Sequence, residues 1–303
     1  MGDIGASVLA RLKNKAMESG RSNQLCLQLF CQEEFLRRLQ RSQYNENLVL
    51  KGGLLIYTLT DFESRVTVDV DFLLRNILNT PEKLMSVLEE IIATDTGNDF
   101  ITFEIVKIEP IAMAKKYAGN GASVIARIKN TRTIFGIDFG VGDVIVPKQE
   151  KRKIPTQLDG FEAPVVNTYS VETTIAEKLD TIMSLMEYSS RMKDYYDIFY
   201  LARKFDFEGQ ILCKALAETF SNRNRDFTIE QLDLLFALGN DAAMKKKWTI
   251  FLKKIQGAEV DFSEVLSIID IFLRDIVTAV INNQEFAKSW SAIDGQWHPR
   301  VKY

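Results

Sequence analysis

Histidine is almost absent: His298 is the only one among 303 residues. That argues against a Ser–His catalytic pair and against any histidine-dependent metal centre. Cysteine is sparse as well. Cys26, Cys31 and Cys213 are odd in number and lack metal-site spacing, so the expectation is reduced cytosolic thiols rather than a disulfide framework. No apolar run reaches the roughly 18 residues of a membrane span, and the first residues lack an apolar signal-peptide core. Both absences lead to the expectation of a cytoplasmic protein with no membrane partner. A basic excess is missing too. Net charge is −3 and the sequence pI is about 5.5, so any RNA binding must use a local basic patch. No internal repeat or low-complexity tract interrupts the chain.

What the sequence does contain is centred on Arg65-Val66-Thr67-Val68-Asp69-Val70-Asp71-Phe72. Apolar and polar residues alternate at period two, which predicts a β-strand. Asp69 and Asp71 then share a face with Thr67 and Arg65, while Val66, Val68, Val70 and Phe72 turn to a core. Paired carboxylates shift a pKa or recruit a cation, and Mg²⁺ suits them. A solvated strand face is the competing reading. Upstream, two apolar runs flank Gly52-Gly53. A strand passing into a helix there would present backbone N–H groups as a phosphate cradle, with an ordinary turn as the alternative. A cradle facing a metal-binding pair is what phosphoryl transfer requires.

Three further positions matter. Asp138, within Ile134–Gly140, is read as a third carboxylate laid beside Asp69 and Asp71, or as one polar position on a solvated face; Asp143 is the fallback if the register slips. Ser170 is expected to cap a helix whose stripe is Val171, Ile175, Leu179, Ile182 and Met186. Lys178 lies at the stripe edge and needs a partner, either a nucleotide phosphate or Glu172 or an aspartate; Glu177 and Asp180 are expected to face solvent. In the next helix, about Tyr188–Phe205, Arg191 and Asp194 fall on the apolar side, flanked by Lys193 and Asp197. An Arg191–Asp194 pair at i, i+3 is one account of them.

Taken together, Lys51-Gly52-Gly53, Arg65-x-Thr67-x-Asp69-x-Asp71-Phe72, Ala176-Glu177-Lys178-Leu179 and Arg191-x-Lys193-Asp194-x-x-Asp197 resemble the nucleotidyltransferase core of the AbiEii/AbiGii toxin family, within the DNA polymerase β-like superfamily. The resemblance covers about residues 45–205. Gly53 stands where a serine is common, so backbone N–H groups would have to take over that contact. The resemblance implies an α/β-plus-α fold: a small mixed β-sheet nucleotidyltransferase core and a helical C-terminal half that closes over the nucleotide. The expected division is N-terminal helices at 1–44, the core at 45–165 and a helical domain at 166–303.

The same resemblance implies transfer of a nucleoside monophosphate from an NTP to an acceptor hydroxyl. Asp69, Asp71 and Asp138 would hold two Mg²⁺ ions. Lys51, Gly52, Gly53, Thr67, Lys178 and Arg191 would bind the nucleotide. Asp138 would steer or deprotonate the hydroxyl, and Asp194 would act in the site with Asp197 as its support. It further implies a toxin of a toxin–antitoxin or abortive-infection (phage-defence) system, with an RNA acceptor such as the tRNA 3′ end and a cognate antitoxin encoded nearby. Two other readings stay open: a nucleotidyltransferase modifying a protein or small molecule, and a catalytically inactive regulatory binding module.

Elsewhere, residues 23–41 read as a helix whose Arg37, Arg38 and Arg41 complement its dipole. Thr80 caps a helix from Pro81. Phe100–Pro110, Ala122–Ile128 and Thr133–Phe139 read as strands. Residues 149–164 read as a linker or an extended connection out of the core, with Lys148, Lys151, Arg152 and Lys153 as a basic cluster. Residues 206–303 read as helical, with Lys245–Lys247, Lys253 and Lys254 as a solvated face or an acidic-acceptor groove.

Overall fold

The computed structural model describes residues 3–111, 119–255 and 259–299. They fall into two compact units, Met1–Gly142 with Gln149–Tyr169, and Asp143–Lys148 with Ser170–Tyr303. The α/β-plus-α expectation holds: a mixed sheet dominates the first unit and helices dominate the second.

The first unit runs α1 (Ile4–Ser19), α2 (Asn23–Arg41), β1 (Leu48–Lys51), α3 (Gly52–Leu59), β2 (Asp69–Leu74), α4 (Pro81–Ala93), β3 (Ile101–Ile111), β4 (Gly119–Ile128), β5 (Thr131–Gly140), β6 (Glu150–Lys153) and β7 (Val165–Thr168). The strands form one sheet in the order β3-β4-β5-β2-β1-β7-β6. β2 lies parallel to β5 and antiparallel to β1. One sheet face is apolar: Val70, Phe72, Ile137 and Phe139 are essentially inaccessible. α2 covers that face, and the Phe35 ring lies 6.3 Å from Phe72 and 6.4 Å from Phe135. Each such side chain contributes roughly 1.5–3 kcal/mol by leaving water.

Several expectations are corrected here. Residues 65–68 are not strand; pairing starts at Asp69, opposite Gly136, and Val66 and Val68 are 41% and 43% exposed. The stretch 149–164 is not merely a linker, because Glu150–Lys153 pairs antiparallel with β7 and forms the sheet edge. Lysines on an edge strand discourage further strand pairing, and Lys151 and Arg152 pair with Glu46 and Glu150.

The arginines at the end of α2 do more than complement a dipole. Gln28, Gln32, Glu33, Glu34 and Arg37 are all buried on α2. Arg37 pairs with Glu33 and Glu34, and Arg38 with Glu34 and the carbonyls of Ile92 and Ile101. Burial lowers the Arg37 pKa to about 10, against the opposing pull of Glu162. Cys26, Cys31 and Cys213 are free thiols, and burial pushes Cys31 up to about 12.

The second unit contains α5 (Val171–Leu185), a 3₁₀ turn at Met186–Tyr188, α6 (Met192–Lys204), β8 (Phe207–Glu208), α7 (Gly209–Asn222), α8 (Ile229–Ala237), α9 (Ala242–Ile255), α10 (Phe262–Ile281), β9 (Lys288–Ser291) and β10 (Gln296–Pro299). Residues 206–299 are therefore not wholly helical: β8, β9 and β10 form a three-stranded antiparallel sheet. Tryptophan chemistry explains it. The buried Trp290 donates its indole N–H to the Ala202 carbonyl at 2.7 Å. Trp297 donates to the Phe272 carbonyl at 2.9 Å and stacks on that ring. On α9, Lys247 donates to the Glu187 and Ser189 carbonyls and Lys245 faces Asp261, so the lysine run is partly tied down within this unit. Among the described residues no helix is long and apolar enough to cross a membrane.

Glu34 is fully buried and accepts from Arg37, Arg38, Thr96 and Asn98. Glu34→Ala should cost about 3–5 kcal/mol, because removing one partner strands buried charge. Urea unfolding at neutral pH measures this. A change smaller than about 1 kcal/mol would show that the network contributes little.

Candidate active site

The carboxylates take their places from strand register. In parallel β2 and β5, Asp69 lies opposite Gly136 and Asp71 opposite Asp138. Paired residues of neighbouring strands point to the same side of the sheet, so the three carboxylates occupy one face, opposite the apolar one. The row continues on both sides: Lys51 pairs with Asp71 across β1, and Gly121 pairs with Asp138 across β4. Register thus selects Asp138, and not Asp143, as the neighbour of Asp71.

Glycines let side chains of this face pack against the backbone. A Cβ on Gly52 would lie 2.6 Å from the Asp71 carboxyl carbon, and the residue's φ of +71° disfavours any L side chain. A Cβ on Gly53 would lie 2.7 Å from the Thr67 hydroxyl and 3.4 Å from an Arg65 guanidinium nitrogen. One on Gly121 would lie 3.1 Å from an Asp138 oxygen. Gly52 and Gly53 also open α3, with Lys51 as its N-cap and no side-chain capping bond. Asp71 and Thr67 therefore pack directly against a helix start, an environment that favours an anion. Lys51 donates to the Tyr169 hydroxyl at 3.1 Å and lies over its ring. Lys51, Gly52, Gly53, Thr67, Asp69, Asp71 and Asp138 are therefore assembled in the first unit.

These donors fit a hard divalent cation in one particular way. Among the described residues no three His, Cys, Asp or Glu side chains are placed to hold one metal ion together. Mg²⁺ seldom uses all-protein cages; it takes one or two carboxylates and completes its octahedron with water and substrate phosphate. Two carboxylates on one strand face, Asp69 and Asp71 or Asp71 and Asp138, match that habit.

Lys178, Arg191 and Asp194 come together in the second unit. Ser170 caps α5 as expected, accepting from Thr173 N–H at 3.0 Å. Two turns further, the Lys178 ammonium meets Asp194 at 2.8 Å and Asp197 at 2.6 Å, both carboxylates buried on α6. Arg191 meets the other Asp194 oxygen at 2.6 Å. Burial pushes the Asp194 carboxyl up, but the Lys178 ammonium and Arg191 guanidinium more than offset it and hold the pKa well below the usual range. Burial raises the adjacent Tyr195 phenol. α6 starts later than expected: Arg191 sits at its N-cap, half-exposed, rather than on the apolar side of a helix beginning at Tyr188.

Sequence reasoning missed a second ionic cluster beside this one. Glu177 and Asp180 do not face solvent. Arg223 bonds Asp180 at 2.8 Å and Asp143 at 2.9 Å, with Glu177 at 3.5 Å, and Arg225 takes the other Asp180 oxygen at 2.9 Å. Burial lowers the Arg223 pKa, but Glu177, Asp143 and Asp180 together raise it above the ordinary arginine value. The only sequence hint is that acids flank Lys178 on both sides.

The family described as "Nucleotidyl transferase AbiEii toxin, Type IV TA system" matches residues 34–268, most of the chain. The chain belongs to the AbiEii nucleotidyltransferase toxin family. Family membership makes it a nucleotidyltransferase toxin of a type IV toxin–antitoxin system, with an NTP substrate and an antitoxin partner. Among curated proteins no relative matches. Among solved structures, MenT4, a nucleotidyltransferase toxin of Mycobacterium tuberculosis H37Rv, is similar at 15% identity and TM-score 0.55, over 91% of this chain and 99% of that one. JHP933 of Helicobacter pylori aligns at 14% identity and TM-score 0.48, over 86% of this chain and 94% of that one. At these identities the likeness to MenT4 speaks to the fold of this AbiEii protein.

The depressed Asp194 pKa sets a pH dependence. Its stabilisation is complete above the ordinary carboxylate value of 3.8 and is lost as pH falls from there toward the folded value. Wild type should therefore lose stability below about pH 4 more steeply than Asp194→Asn. Urea unfolding across this range checks it; parallel curves would show that Asp194 is not held ionised by Lys178 and Arg191.

Proposed function

We propose that this AbiEii protein transfers a nucleoside monophosphate from an NTP to a hydroxyl of an RNA acceptor, the tRNA 3′ end being the expected one. The observation that supports this most directly is the in-register Asp71 and Asp138 pair, with Asp69 one step along the strand and the Gly52-Gly53 helix start beside them. In this reading Asp69, Asp71 and Asp138 would hold two Mg²⁺ ions, completed by water and substrate phosphate. Bound there, the ions would neutralise the triphosphate and polarise its α-phosphorus.

The chain's own groups do the remaining work. N–H groups of Gly52 and Gly53 bind the terminal phosphates, and Thr67 and Lys51 border them. Lys178 offsets phosphate charge, oriented by Asp194 and Asp197, and Arg191 adds a second cation. Asp138 accepts the proton of the acceptor hydroxyl as its oxygen attacks the α-phosphorus. The bond to the β-phosphate oxygen breaks, and pyrophosphate leaves. Retention of Asp69, Asp71, Lys178 and Asp194 together favours an active enzyme over an inactive binding module.

Incubation of the protein with each labelled NTP, Mg²⁺ and total tRNA tests the proposal. Label should appear on tRNA, depend on Mg²⁺, and fall about a hundredfold or more in Asp71→Asn. Label on protein or small solutes would replace the RNA acceptor. Transfer that persists in both Asp69→Asn and Asp71→Asn would overturn the site.

A further inference from the structure

The segment that leads into Asp69 is not held by strand pairing. Residues 65–68 make no strand pairing, and Val66 and Val68 are partly exposed to water. Hydrophobic burial alone therefore does not set their path. Yet Thr67 and Arg65 lie against Gly53, and Asp69 opens the acidic strand.

Two side chains from α2 supply a restraint. Gln28 donates to the Val68 carbonyl at 2.9 Å and Gln32 donates to the same oxygen at 2.7 Å. Only the NH₂ of a glutamine amide can donate to a carbonyl, so the orientation of both is forced. Gln28 is 8% and Gln32 1% exposed. Gln32 keeps this orientation although its own carbonyl oxygen is buried without a partner among the described residues, which costs free energy. Just before α2, Arg21 donates to the Phe62 carbonyl at 2.8 Å and lies over the Tyr57 and Phe62 rings. The other end of the same connection is thus tied as well.

The Val68 carbonyl and the Asp69 N–H belong to one planar peptide unit. Clamping the oxygen fixes that plane, and with it the start of the Asp69 side chain. We infer that Gln28 and Gln32 are positioning residues for the nucleotidyl-transfer site, acting through the Val68 carbonyl to aim Asp69 and Thr67. This rests on the proposed role of Asp69 as a metal-binding carboxylate. Both glutamines precede residue 34, where the family match begins, so they extend the site machinery into the N-terminal helices.

Because both donors share one acceptor, they back each other up. The test compares Gln28→Met, Gln32→Met and the double variant, which keep side-chain length and remove the donors. Each single variant should stay within about threefold of wild type in kcat, and the double should fall about tenfold with KM for NTP nearly unchanged. Mn²⁺ titration with a non-hydrolysable NTP should show weaker metal binding in the double variant. Amide hydrogen exchange should quicken at residues 65–69 and stay unchanged in β1 and β5.

Unchanged kcat and exchange in the double variant would overturn the inference, as would faster exchange across the whole sheet, which marks a purely structural role. If the double variant does not fold, Gln32→Asn, which keeps the amide but shortens its reach, is read by the same exchange and Mn²⁺ measurements. Asp69→Asn separates the two ideas. Full activity in that variant would refute the metal-binding role, while the exchange result still decides whether the glutamines order the segment.

Discussion

The parallel pairing of β2 with β5 is the constraint on which the rest depends. It sets Asp71 directly against Asp138 and leaves Asp69 beside a glycine. Three carboxylates on one face repel one another, so their strands must be held in register from elsewhere. The opposite face holds them. Val70, Phe72, Ile137 and Phe139 are locked under α2 by Phe35, and a one-residue slip would turn all of them into water. The apolar core thus enforces an acidic surface that electrostatics alone would disperse.

A comparable logic operates within the second unit through charge rather than packing. Lys178 is buried between Asp194 and Asp197, and Glu177 and Asp180, either side of it in sequence, answer to Arg223 and Arg225. Removing charges from water is costly, and buried ions persist only where each has its partners. Such networks fix rotation about the helix axis more tightly than a greasy stripe can. The ammonium of Lys178 is accordingly held in one place.

Much of this was legible in the residues. Alternation at Asp69–Phe72 gave the facing of two carboxylates, and Gly52-Gly53 gave the helix start. Ser170 and Thr80 gave helix beginnings that the structure repeats. These are local rules, carried by neighbours two to four positions apart. The errors are of another kind. Val66 and Val68 continue the alternation but have no strand to pair with, so the pattern overran the element. Glu177 and Asp180 sit on an arc that looks solvated until Arg223, more than forty residues later, is brought against it. Trp290 and Trp297 find the carbonyls that turn an expected helical tail into a hairpin.

The amino-acid sequence by itself therefore determined the family, the period-two placement of Asp69 and Asp71, and the chemistry of their donors. Spacing along one backbone is a short-range property, and dihedral preferences suffice to express it. Only the tertiary structure decided that Asp138 rather than Asp143 lies against Asp71, that Lys178 takes two aspartates, and that buried glutamines of α2 grip Val68. Each of those depends on partners distant in the chain. Strand register and helix rotation, set by the packing of the whole core, choose among them.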